Sequence, residues 1–168
     1  MQKHLFSPSI WSRLMAGGDA RAPAALTSQQ ALADLKAAIA HDLEDLFNTR
    51  LALPAGALDR FKACRNSILN FGLMDFAALS LGSSEDRKII CEYLKEVIDR
   101  FEPRLCNVRA DIVIARDATN RLDFVIQATI KGHASSEQIA FNAMLQPSTL
   151  HYSISAALPL HRDTGGLP

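Results

Sequence analysis

Phe101-Glu102-Pro103-Arg104-Leu105 is where the chain changes its period. Pro103 has no backbone N–H and disfavours helical geometry at Glu102, so a helix arriving from upstream must stop here. Upstream, Ile90, Leu94, Val97, Ile98 and Phe101 recur at three- and four-residue steps. Ser83 or Ser84 can open that helix, with Glu85 and Asp86 well placed in its first turn. Glu92 with Lys95, and Glu96 with Arg100, fall at spacings that pair on a solvated face. Downstream the period becomes two. Val108, Ala110, Ile112 and Ile114 alternate with Arg109, Asp111 and Val113, and a polar turn over 116–121 leads to Leu122, Phe124, Ile126, Ala128 and Ile130 on one face. After a loop from Lys131 to Ser136, Ile139, Phe141, Ala143 and Leu145 alternate again. Pro147-Ser148 turns the chain into a fourth strand over Leu150–Ser155. Helices first and strands afterwards predict an α+β fold, with N-terminal helices packed on one face of an antiparallel β-meander of about four strands. The corner holds an acid and a base on stiff backbone, which can recognise a partner at small ordering cost. As a plain surface ion pair it is worth only ~0–1 kcal/mol.

Farther upstream, Thr27 with Gln30 fits a capping box, and Leu32, Leu35, Ile39, Leu43 and Leu46 mark a core helix running to about Phe47. It exits through Asn48-Thr49-Arg50. Leu58, Phe61, Cys64 and Ile68 give a weaker helical pattern, closed at Asn70-Phe71-Gly72, where Gly72 suits a left-handed terminus. Leu73 to Leu81 reads as a connecting loop anchored by Leu73, Phe76 and Leu79. Before the core helix, Ser7 to Met15 can form a short helix with Ile10, Trp11 and Leu14 on one side, tethered by Gly17 to Pro23. The chain thus divides into an arm (1–26), a single α+β domain (27–157) and a loose tail (158–168).

Composition narrows the function. Lysine plus arginine and aspartate plus glutamate each number 18, so no overall field steers the chain to nucleic acid. No run of eighteen apolar residues occurs, and Pro8 and Arg13 break the apolar N-terminus, so a soluble cytoplasmic protein without membrane insertion is expected. Cys64, Cys91 and Cys106 lie far apart without a CxxC or Cys/His spacing and read as reduced core thiols. The five histidines show no HxxxH or HExxH spacing, and there is no Gly-rich phosphate loop; no metal or cofactor is expected.

Four segments carry a resemblance. They are Ile10-Trp11-Ser12-Arg13-Leu14, Asp45-Leu46-Phe47-Asn48-Thr49-Arg50, the run Ser67-Ile68-Leu69-Asn70-Phe71-Gly72-Leu73-Met74-Asp75-Phe76, and Phe101-Glu102-Pro103-Arg104-Leu105. In this order the chain resembles the TssE family, the small baseplate subunits of bacterial type VI secretion, and the contractile-phage baseplate wedge proteins of the lysozyme-like family. It departs from the pattern at Met74 (usually proline), Phe71 (usually tyrosine), Leu51 (often a second arginine) and Leu150 (usually glycine). The resemblance implies an assembly component rather than an enzyme. It implies partner-binding roles for Glu102, Pro103 and Arg104, as a clamp on the helical core bundle of a TssF–TssG wedge, and for Arg50, Asn70, Asp75 and Trp11 on the matching segments. It further implies neighbours TssK and the sheath proteins TssB and TssC, whose extended arms would add as strands to the sheet. The site would be cytoplasmic, on a membrane-anchored baseplate, and Glu102 and Arg104 would become desolvated on assembly.

Two other classes bear on the same residues. A peptidoglycan-degrading, lysozyme-like hydrolase needs two carboxyls facing across a cleft. Here the acids lie on helix surfaces or beside bases, and the only tryptophan, Trp11, is in the arm. A small regulatory binding protein of the same fold is the third possibility, since fold does not carry function.

Overall fold

The computed structural model describes residues 28–54, 56–58, 60–76, 78–113, 122–131, 137–146, 149 and 151–157. The arm with Trp11, the helix start at Thr27, Ile114 and the tail lie outside these residues. Helix α1 spans Ser28–Asn48 and α2 spans Ser84–Phe101. Ser83 caps α2 by accepting the Asp86 N–H at 3.3 Å. Strands β1 (Leu105–Val113), β2 (Leu122–Ile130), β3 (Gln138–Gln146) and β4 (His151–Ala157) form one antiparallel sheet in consecutive order. The fold is α+β, as the change of period at Pro103 predicts.

Alternation puts one sheet face into the core. Phe124 and Ile126 of β2 are fully buried, opposite Ala143 and Phe141 of β3 respectively, so cross-strand pairs fill the layer. Tyr152 and Ile154 continue this layer on β4. From above, α1 brings Ile39, Leu43, Leu46 and Phe47 against β4, and α2 brings Ile90, Leu94, Val97 and Ile98 against β1. On α2 the ion pairs are Arg100 with Glu96 and Lys95 with Asp99, both four residues apart; Lys95 takes this spacing instead of the three-residue step to Glu92.

Strand β1 contains one irregularity. Between Cys106 and Arg109 the register slips, and Asn107 has φ of 53°. Asn107 and Val108 together face the single residue Ala128, a β-bulge. The extra residue lets both Leu105 and Val108 point inward, each 1 % exposed, although they are three apart.

The weak helical pattern over Leu58–Ile68 is not an α-helix. Two single 3-10 turns, Lys62–Cys64 and Ile68–Asn70, replace it, and Phe61 and Ile68 are exposed. Local side chains compete for the backbone here: Ser67 Oγ donates to the Cys64 carbonyl at 2.7 Å and Asn70 Nδ2 to the Arg65 carbonyl at 2.9 Å. The three cysteines are free, but half-buried rather than in the core. Burial pushes the Cys91 thiol above its ordinary range.

The β4 margin is closed by α1. Asn48 Oδ1 accepts the Tyr152 N–H at 2.8 Å, Asn48 Nδ2 donates to the Tyr152 carbonyl at 2.9 Å, and Glu44 Oε2 accepts the Ile154 N–H at 2.8 Å. Side chains thus fill positions that an added strand would use. The double substitution Glu44→Ala with Asn48→Ala should expose this edge. The expected outcome is about 2–3 kcal/mol of lost stability and concentration-dependent self-association in sedimentation velocity. A variant that stays monomeric at all concentrations would contradict the protective role.

Candidate functional site

The corner after α2 is built from backbone outward. The Glu102 N–H donates to the Ile98 carbonyl at 2.8 Å, completing the helix, and the Leu105 N–H donates to the Glu102 carbonyl at 3.1 Å. This closes a turn with Pro103, exposed, in the position its fixed φ favours. The Arg104 carbonyl then accepts the Lys131 N–H at 2.8 Å, tying the corner to the far end of β2.

On this frame the acid and base lock together. Arg104 Nε donates to Glu102 Oε1 at 2.6 Å, Arg104 Nη2 donates to Glu102 Oε2, and the Arg104 backbone N–H adds a third contact to Oε1 at 3.1 Å. The Glu102 side chain is 4 % exposed, whereas Arg104 is 33 % exposed. Hydrogen bonding to Glu102 is the main reason that the guanidinium holds its proton even more tightly than usual, with Asp42 adding to the effect. Nη2 also donates to Asp42 Oδ2, on α1. Glu102 is therefore already desolvated within the subunit, contrary to the expectation that both partners wait for assembly; only Arg104 retains solvent access. Burying the carboxylate is tolerated because three donors surround it.

Beside this pair lies an open concavity of about 390 Å³, lined by Asp42, Asp45, Phe71, Phe101, Pro103 and Arg104 among others. Phe71 and Phe101 meet edge to face at 5.3 Å, an aromatic floor between acidic walls. Of the acids that line it, Glu102 and Asp42 share the Arg104 guanidinium.

The other sequence-predicted residues fall into place unequally. Arg50 and Asp75 pair with each other at 3.6 Å on an exposed surface. The two motif segments that carry them are joined by a parallel bridge: the Leu73 N–H donates to the Thr49 carbonyl at 2.8 Å and the Leu51 N–H to the Leu73 carbonyl at 2.9 Å. Gly72, with φ of 113°, lets that bridge form. Asn70 shapes the 3-10 turn through Arg65 and joins neither charge pair. Trp11 lies outside the described residues. Met74, where a proline is usual, donates its N–H to Tyr93 Oη at 3.1 Å, a bond that proline cannot make. The substitution thus replaces one restraint by another. Sequence reasoning missed Asp42, counted there only among the acids on helix surfaces; it lies 62 residues from Arg104, and no local pattern announces the contact.

Among the described residues no group of side chains could hold a metal ion, and no helix is long and apolar enough to cross a membrane. The sequence profile of the family described as baseplate wedge protein gp25 matches residues 33–135, more than half of the chain. The chain belongs to that family. No curated protein and no solved structure gives a significant match. The gp25 match takes in α1 from residue 33 onward, the bridged motif segments, the corner and the first hairpin. It bears out the resemblance read from the motifs, and makes the chain a structural protein of the baseplate wedge type.

Proposed function

We propose that this gp25-family chain is the TssE-like adaptor of a type VI secretion baseplate, joining a TssF–TssG wedge to the first ring of the TssB–TssC sheath. The observation that carries this reading is the locked corner. Glu102 acts within the subunit, holding Arg104 in a single orientation at the rim of the aromatic concavity. A partner that inserts there meets a prearranged guanidinium, so little conformational freedom is lost on binding. Pro103 and the Arg50–Asp75 pair extend the same role as exposed contacts. The protein works without catalysis or cofactor, in the cytoplasm, with TssK as a further neighbour.

Sheath arms add to the sheet by main-chain pairing. Of the two margins, β1 is the better acceptor. Side-chain hydrogen bonds from Asn48 and Glu44 of α1 already occupy the outward backbone groups of Tyr152 and Ile154 on β4.

Co-purification with the wedge proteins, read by mass spectrometry, tests the adaptor. Asp45→Lys, at an exposed position in the concavity, should weaken wedge binding at least about tenfold (roughly 1.4 kcal/mol) while leaving the melting temperature unchanged. Wild-type protein that fails to bind a TssF–TssG wedge would remove the reading.

A further inference from the structure

A cluster of apolar side chains is held out into solvent on the segment that leads to Gly72. Phe61 is 58 % exposed, Ile68 86 % and Leu69 54 %. Single exposed apolar residues are ordinary, but three within nine positions are a surface feature. The backbone beneath them is fixed. Ser67 Oγ accepts the Leu69 N–H at 3.3 Å, the Phe71 N–H donates to the Ile68 carbonyl at 3.2 Å, and the two 3-10 turns pack against each other. Ile68 is therefore presented on a locked turn. None of the three lines the concavity at the corner.

The charges around them are one-sided. Between residues 56 and 74 the chain carries Arg60, Lys62 and Arg65 against the single acid Asp59. Arg60 and Lys62, which flank Phe61, are exposed. The concavity at the corner has the opposite character, with Asp42 and Asp45 on its walls.

We propose that Phe61, Ile68 and Leu69, with Arg60 and Lys62, form a second docking surface, for an amphipathic helix of a neighbouring protein that carries acidic residues beside its apolar stripe. Apolar side chains would enter between Phe61 and the Ile68–Leu69 turn, and the acids would meet the flanking cations. An anionic membrane is the weaker occupant. Stable attachment to lipid takes a larger basic cluster or an acyl chain, and the whole chain is electrically balanced at 18 bases and 18 acids.

Fluorescence anisotropy on the full chain tests this with a synthetic leucine-striped helix about 18 residues long, flanked either by glutamates or by lysines. The glutamate helix should bind and the lysine helix should not. Ile68→Asp with Leu69→Asp should weaken binding at least about tenfold. Arg60→Glu with Lys62→Glu, which alters only exposed cations, should do the same and gain binding to the lysine helix. Asp45→Lys at the corner should change nothing. The proposal is overturned if wild-type protein ignores the glutamate helix, if both helices bind alike, or if the aspartate variant binds normally. It also fails if Asp45→Lys weakens binding equally, or if phosphatidylglycerol vesicles compete better than the peptide. The wedge proteins are absent from this assay, so its failure leaves the adaptor reading untouched, and the converse holds.

Discussion

Gly72→Ala should destabilise the domain by about 3 kcal/mol or more, although residue 72 contributes no side chain to the core. Its φ of 113° lies in the region that L-residues rarely adopt. A Cβ placed there would stand 2.4 Å from the Thr49 carbonyl oxygen, the atom that accepts the Leu73 N–H. The added carbon must therefore displace backbone, not a flexible side-chain tip. Release of that bridge would free the loop that carries Asp75 and Phe71 from the α1 exit that carries Arg50. Urea unfolding reads the stability loss, and hydrogen exchange at Leu51 and Leu73 should show both amides newly exposed. A wild-type midpoint with both amides still protected would mean that the bridge does not hold the loop.

The second large effect is asymmetric. Arg104→Ala leaves a carboxylate only 4 % exposed without its cation. Breaking a buried pair costs roughly 3–5 kcal/mol, and because Arg104 itself is one-third exposed the expected loss lies near the lower end, about 3 kcal/mol. Glu102→Gln should cost less, about 1–2 kcal/mol, since the guanidinium keeps Asp42 and its access to water. Urea unfolding of both variants reads the difference, and equal losses would show that Glu102 is not held by Arg104.

What the sequence made legible was local and periodic. The three- and four-residue steps of Ile39, Leu43 and Leu46 and the alternation of Phe124, Ile126 and Ala128 appear as one buried layer. Pro103 marked the corner because a missing N–H is a property of one residue. Contacts set by tertiary approach left no such trace. Asn48 reaches Tyr152 across 104 residues, and Asp42 reaches Arg104 across 62, with nothing in either neighbourhood to pair them. The expected helix at Leu58–Ile68 went wrong for a different reason. Its apolar spacing was helical, but Ser67 and Asn70 captured nearby carbonyls, and the apolar residues had no core surface to cover.

The lock of α1 on β4 bears on assembly order. A sheet sealed along one side can be extended only from the other, so two copies could meet open side to open side and growth would then halt. Such a subunit behaves as a chain terminator: it can start or finish a row of strands but cannot propagate one. That polarity would keep spare copies from polymerising before they are built into a larger structure.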